Sequence, residues 1–486
     1  MGKPGQAYAL VTKVLLGLGL LLSAYPLLRA FYHFEIDYNE GWNAYLQLRA
    51  AQGEPLYSGF SPYWFNNYPP LSFYLAGLVG KLTGDVVLAG RLLSLAGFAA
   101  MALAGGYTVR AAGASREDGR LATALCLLLY ATFATDYLGM NDPQLLGMGF
   151  ATWGLALYVA QPLTARRAAL SALLLAAGAL TKHNLVLLPL LVGLHMLWRG
   201  EPKAKVAFVV SAATCAVLAI AAIWLFEGPA FFTQFFGPRD WQVDRAFLFV
   251  TELTGKLQAP LALVALGLIA MRRNASAGLV LTWLVGALLA GIYFAGGAGT
   301  DINVWFDAMT AAAIGAGLVV RELRERGGTQ RMQAALALTI AAGALFQAPL
   351  ALGRFGVDVA GDMAERERQF AADVQWLRSV PGKAICESQL LCLKAGKPMF
   401  YDSFNALQAM HAGRLPPDSL ASMLRRHEVA VVVVNSRRQH NPDDLPGQTM
   451  PTRFVNFDDV QFDVLEQEYH LARVGVSGRF YLPKSR

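Results

Sequence analysis

Eleven apolar runs constrain this chain more than any other feature. They fall at about 14–31, 86–109, 121–140, 145–160, 168–181, 184–198, 206–226, 257–271, 277–295, 308–320 and 333–352. A helix needs about 20 apolar residues to cross a bilayer core. Inside that core each backbone polar group must be satisfied within the chain, so such runs become helices. The 486 residues are 55% hydrophobic and 15% charged, against about 25% charged in soluble chains. The sequence therefore predicts an α-helical polytopic membrane protein. The net charge of +7 does not indicate nucleic acid, because the basic residues lie between apolar runs, where they report topology.

Charge also sets the sides. The run 168–198 is either one long helix or two short ones. Read as two, the segments on one side hold sixteen Lys and Arg and those on the other hold six. Short basic loops stay cytoplasmic, so the sequence predicts eleven spans with the N-terminus inside. Lys3 and Lys13 precede a first run with no small-residue cleavage site, which reads as a retained span. The stretch 71–84 is short, and crossing there would turn Arg110, Arg116 and Arg120 outward; it is expected to lie at the outer surface as a juxtamembrane helix. Residues 1–352 are thus expected to form the membrane domain, with outer loop one at 32–85. Residues 353–486 alternate strand and helix signals and are expected to form a soluble periplasmic α/β domain. In an oxidising periplasm Cys386 and Cys392, six apart, would either pair or stay free.

The polar residues of the outer turns are the candidate site. Outer loop one packs Glu35, Asp37 and Glu40 into six residues. Ionisable groups at a membrane face mark function by default, although a polar loop capping a helix explains them equally well. Asn67 and Tyr68 close that loop. Asn141, Asp142 and Gln144 open the second outer turn, where Asp142 could also be a helix N-cap. Lys182, His183 and Asn184 form a tight hairpin. Asp301, Asn303 and Asp307 follow a Gly-rich turn and suit it by local hydrogen bonding alone. Arg91 lies near the outer end of its span, where snorkelling is the bland account. Arg239, Arg245 and Lys256 sit in an aromatic-rich outer loop and could clamp a phosphate.

Outer loop one carries a resemblance. An acidic residue three before Glu40-Gly41, then Gly-x-Pro-Leu-Tyr at 53–57, Tyr-Pro-Pro-Leu at 68–71 and Ala-Gly-Arg-Leu at 89–92 resemble the first outer loop of GT-C membrane glycosyltransferases. The aminoarabinose and protein O-mannosyl transferases of glycosyltransferase family 39 are the nearest in pattern. The likeness covers about 14–198. It implies transfer of a sugar from a polyprenyl-phosphate donor to an envelope lipid, polysaccharide or protein, with inversion, at the outer face of the bacterial inner membrane. A first-loop carboxylate would be the base, and the second-loop carboxylate falls on Asp142.

Two positions depart from the pattern. The family often has Asp-Glu where this chain has Asn39-Glu40, so the base falls to Glu40 or to Asp37. Helical spacing would put those two on one face. The aminoarabinose transferases carry Lys where Tyr68 stands. Lys182, His183, Arg91, Arg239 or Arg245 would then have to meet the donor phosphate. Asn67, Tyr68, Asn141, Asn184, Asp301 and Asn303 are the expected substrate contacts. A divalent cation would suit Asp37, Glu40 and Asp142. The competing readings are a lipid-linked sugar flippase and a non-catalytic envelope scaffold.

Overall fold

The computed structural model describes residues 6–237, 239–436 and 456–485. In the helix around 243–270, the side chains of 252–256, 258 and 259 fall outside that description, Lys256 among them. Among the described residues, fourteen α-helices build the first part of the chain: α1 Ala7–Arg29, α2 Asn39–Gln52, α3 Leu71–Thr83, α4 Val86–Ala111, α5 Arg116–Phe133, α6 Gln144–Val159, α7 Ala165–Thr181, α8 Leu187–Arg199, α9 Pro202–Glu227, α10 Ala230–Phe235, α11 Val243–Ala270, α12 Ala275–Ala295, α13 Phe306–Glu325 and α14 Gln330–Val357. Each of the eleven apolar runs lies on one of these helices. The run 168–198 divides into α7 and α8, and 71–84 becomes α3. Among the described residues, six helical segments are long and apolar enough to cross a membrane by length and composition: those beginning at Ala7, Val86, Pro202, Ala275, Ile302 and Gln330. The 13 residues of α8 reach only about 20 Å.

Local chemistry sets the helix ends. Asp85 caps α4 by accepting from the N–H groups of Val87 and Leu88. Ser115 and Asp118 form a capping box on α5. Thr164, Asn274 and Thr329 cap α7, α12 and α14. Glycines let the helices approach where lipid offers no hydrophobic drive to associate. A Cβ on Gly149 of α6 would sit 2.8 Å from the Gly97 carbonyl of α4. The central helix is α13, buried along most of its length behind Ala308, Ala311, Ala312 and Gly315. By contrast α9 exposes Val206, Val210, Val217, Leu218, Leu225 and Phe226. An apolar surface that size needs lipid or protein to cover it.

The chain then leaves the bundle. The expected boundary after 352 falls inside α14, which runs five residues further before the Gly361 kink. α15 Met363–Ser379 leads into β1 Ala384–Cys386, α16 Gln389–Lys394, α17 Ser403–His411, α18 Ser419–Arg425, β2 Val431–Val434, α19 Asp459–Glu468, β3 Tyr469–Gly475 and β4 Gly478–Pro483. The sheet order is β1-β2-β4-β3, with β1 parallel to β2 and the other pairs antiparallel. Val431 to Val434 are all buried, as a strand covered on both faces requires. Cys386 and Cys392 are joined in a disulfide. This C-terminal β-sheet domain sits directly on outer loop one. A Cβ on Gly41 would lie 2.0 Å from the backbone nitrogen of Leu390, so only glycine allows that contact. Ser388 donates to the Glu35 carboxylate, which also accepts from the Leu390 N–H.

Candidate functional site

Chain turns from one end of the bundle meet the C-terminal domain around a cavity. The first loop contributes Asp37, Tyr38, Asn39, Trp42, Asn67 and Tyr68. The turns after α5, α7 and α12 contribute Tyr137, Asp142, Lys182, Asp301 and Asn303, and Arg239 comes from the loop before α11. The roof is Glu387, Gln389, Asp402, Ser403, Phe404, Asn405 and Asn456 of the C-terminal domain.

The two first-loop carboxylates part company here. Asp37 lies in the turn before α2, and its backbone carbonyl accepts the Glu40 N–H. The pair therefore does not share a helix face, contrary to expectation. Asp37 reaches the cavity wall, where its carboxylate accepts the Asn39 N–H at 3.2 Å. Burial, with Asp301 and Glu40 adding like charge, lifts its pKa from the ordinary 3.8 to about 7. Glu40 points the other way and is fully buried. Both its oxygens are bonded to Arg91, at 2.8 and 2.6 Å. They also accept the N–H groups of Ile36 at 2.8 Å and Asn141 at 2.9 Å. Arg91 spends its other donors on the carbonyls of Ala30, Tyr32 and Phe34. Neither residue lines the cavity: together they bolt outer loop one to α4. The expectation that Arg91 meets a phosphate fails for that reason.

Asp142 and Lys182 form a second buried pair, but on the cavity wall. The ammonium lies 2.9 and 2.8 Å from the two carboxylate oxygens. Asp142 also takes Asn39 Nδ2 at 2.7 Å and, as the start of α6 demands, the Gln144 N–H at 2.8 Å. The ring of Tyr68 faces Lys182, 5.0 Å from ring centre to Nζ. Arg239 packs its guanidinium 5.6 Å over Phe404 and has no ion-pair partner among the described residues. Asp301 caps the short turn at 302–305 through the Ile302 N–H. Asn303 Nδ2 lies 3.4 Å from Gln144 Oε1.

The other expected residues stand off the wall. Asn141 exchanges two hydrogen bonds with Gln47, at 2.7 and 2.9 Å, and fills the space over Gly90. Arg245 donates to the Gly296 carbonyl at 3.0 Å and pairs loosely with Asp240 at 3.7 Å, so it braces the loop. His183 stacks behind Tyr68 at 5.4 Å; burial, Arg239 and Lys182 push its pKa down to about 3. A neutral imidazole supplies no phosphate-binding charge. Asn184 does not line the cavity. Asp307 accepts the Trp283 indole N–H at 2.7 Å. The aromatic loop folds onto outer loop one: Phe231 meets Tyr57 edge-on at 4.9 Å, and Gln234 takes the Asn66 N–H at 2.6 Å.

The donor set suits a metal poorly. Of Asp37, Glu40 and Asp142, two already hold a cationic side chain, and no group of three or more His, Cys, Asp or Glu among the described residues is arranged for one. The sequence predicts that the C-terminal domain caps the site or contacts an acceptor, but it singles out none of the roof residues. Asp402, which caps α17 and whose pKa burial raises to about 6, had an N-cap pattern in Asp402-Ser-Phe-Asn405 as its only signal. Gln389 and Glu387 had none.

No protein-family model and no curated protein sequence matches this chain. Solved structures do match it. ArnT from Cupriavidus metallidurans in the apo state aligns over 96% of this chain and 97% of its own, at 15% identity and TM-score 0.59. The same protein bound to undecaprenyl phosphate aligns over 96% and 98%, at 13% identity and TM-score 0.57. The apo oligosaccharyltransferase of Archaeoglobus fulgidus covers 88% of this chain and 69% of its own, at 12% identity and TM-score 0.51. Matches over this much of the chain, helices and β-sheet domain alike, show that the protein shares the fold of these solved structures.

Proposed function

We propose that the protein transfers a glycosyl group from a polyprenyl-phosphate donor to an envelope acceptor hydroxyl, at the outer face of the bacterial inner membrane. Eleven helices would cross, with the N-terminus cytoplasmic and the C-terminal domain, about 353–486, periplasmic. The observation that carries the reading is one cavity holding a carboxylate with spare acceptor capacity, Asp37, and a cation without an ion-pair partner among the described residues, Arg239. Its support is a fold shared with ArnT, one structure of which holds undecaprenyl phosphate. The disulfide agrees with an oxidising compartment.

In this mechanism Asp37 takes the proton of the acceptor hydroxyl. The freed oxygen bonds the anomeric carbon from the face opposite the phosphate, and the bond from that carbon to the phosphate oxygen breaks. The electron pair leaves with polyprenyl phosphate, so configuration inverts. The leaving group is already a stable anion and needs charge stabilisation more than a proton. Arg239 supplies most of it, because Lys182 is half-neutralised by Asp142. A base with a pKa near 7 is well matched to neutral pH. Glu40 is excluded from that role, since all its hydrogen-bonding capacity is committed to Arg91 and the backbone. Tyr68, at the position where the aminoarabinose transferases carry a lysine, packs its ring against Lys182.

The test is single-turnover transfer from purified donor lipid by the full chain in nanodiscs. Transfer that Asp37→Asn abolishes and Arg239→Gln weakens supports the reading. Movement of intact donor across the bilayer with no transfer would replace it with a flippase.

A further inference from the structure

The cavity roof carries two polar atoms without a hydrogen-bond partner among the described residues. Gln389 is 6% exposed and Ser403 2%. Both line the cavity, yet Gln389 Oε1 and Ser403 Oγ have no hydrogen-bond partner among the described residues. A buried polar atom left unpaired in a native fold calls for an explanation, and a ligand in the cavity provides one. Beside them, Asp402 has its carboxylate held in place by the Asn405 N–H at 3.2 Å and side-chain amide at 2.6 Å. An amide oxygen, a hydroxyl and a carboxylate in one patch accept hydrogen bonds from several hydroxyls at once.

Charge narrows the ligand further. The cavity wall holds five carboxylates, on Asp37, Asp142, Asp301, Glu387 and Asp402, against the cations of Lys182 and Arg239. Lys182 is spent on Asp142. One cation then remains for the donor phosphate and none for a second anion. An acid group on the sugar would meet like charge in a partly desolvated space.

We propose that the C-terminal domain, through Gln389 and Ser403 with Asp402 beside them, holds the hydroxyls of a transferred sugar that bears no acid group. The domain is then the specificity element of the site, and the membrane half supplies base and phosphate contacts. This rests on the glycosyl-transfer reading above.

The probes are undecaprenyl phosphate, and polyprenyl phosphates carrying a neutral hexose or a hexuronate, titrated against the full chain in nanodiscs. The wild-type protein should bind the hexose lipid at least about tenfold tighter than the uronate lipid. Gln389→Leu and Ser403→Ala should each weaken hexose-lipid binding about three- to tenfold. Undecaprenyl phosphate binding should not change. Removing an unsatisfied buried group does not destabilise a fold, so the melting temperature should hold or rise, which separates recognition from structural damage. Uronate binding equal to or tighter than hexose binding overturns the proposal. So does wild-type hexose affinity in both variants, which would mean that only water occupies the roof, and so does an effect confined to the KM of a glycan acceptor. If the wild-type protein binds none of the three lipids, the parent reading fails and takes this one with it.

Discussion

Each end of the bundle holds an aspartate out of bulk solvent, Asp118 fully buried and Asp37 half-buried, and the two are used in opposite ways. At the end away from the cavity Asp118 is completely spent. It accepts Arg324 at 2.9 and 2.7 Å, the Ser115 N–H and hydroxyl at 2.9 and 2.7 Å, and the Tyr8 hydroxyl at 3.1 Å. That network ties α1, α5 and α13 together. At the cavity end Asp37 has one backbone N–H at 3.2 Å and like charges for neighbours. Residue type does not distinguish the two, and burial does so only in part, Asp118 being fully buried and Asp37 half-buried. Unused hydrogen-bonding capacity does, and it marks where a substrate can still bind.

The largest expected effect comes from removing that capacity. Asp37→Asn keeps the shape and loses the proton acceptor. A general base contributes about 10²–10⁴-fold, roughly 3–5.5 kcal/mol of barrier, so turnover should fall by that factor in single-turnover assays while the protein folds normally. Asp118→Asn should do the reverse, lowering the melting temperature while folded protein keeps its turnover. If Asp118→Asn silences a fully folded enzyme, the contrast between the two ends is wrong.

Glu40 sharpens the same contrast within one loop. Breaking a buried ion pair by removing one partner costs about 3–5 kcal/mol. Glu40→Gln should therefore show as lost thermal stability and yield, with turnover per folded molecule reduced far less than in Asp37→Asn. A well-folded Glu40→Gln protein without activity would return the base to Glu40. Next in size is Arg239→Gln. A hydrogen bond to a charged group is worth about 1.5–3 kcal/mol, so affinity for undecaprenyl phosphate should drop about 10- to 150-fold. Arg245→Gln, which removes a loop brace, should leave that affinity nearly unchanged.

The sequence carried the helices well, because apolar runs and charged turns report directly on a bilayer. It carried the C-terminal domain in part. The strands around Ala384, Val431 and Arg479 were legible as short apolar runs, but β3 was not, since Leu471 and Val474 alternate with polar residues on an exposed edge. In the site, Asp37, Asn67, Tyr68, Asp142, Lys182, Arg239, Asp301 and Asn303 were legible because each lies in a polar turn between apolar helices. Which way each points was not. Glu40 and Asp37 are three residues apart, and only the turn before α2 sends one to Arg91 and the other to the cavity. The roof was invisible for a different reason: Gln389 and Ser403 become notable only when a fold buries them and gives them nothing to bond.

The smallest effect expected is also the most diagnostic, because it reads Asp37 through a neighbour. Burial first, then the charge of Asp301, raises the Asp37 pKa from 3.8 to about 7. The base must be deprotonated, so kcat/KM of the wild-type enzyme should rise with pH and level off above about 7. Asp301→Asn removes one like charge and leaves the burial, so that limb should move down by a few tenths of a pH unit, at 1.36 kcal/mol per full unit. Stability runs the other way. The folded state keeps the Asp37 proton between about pH 4 and 7 while the unfolded chain has lost it. The stabilising contribution is then complete below pH 4 and gone once pH passes 7. Asp37→Asn cannot ionise, so its melting temperature should gain on the wild type at pH 8 and not at pH 4. An acid limb that stays in place in Asp301→Asn, or a melting difference independent of pH, would mean that a group other than Asp37 titrates in the cavity.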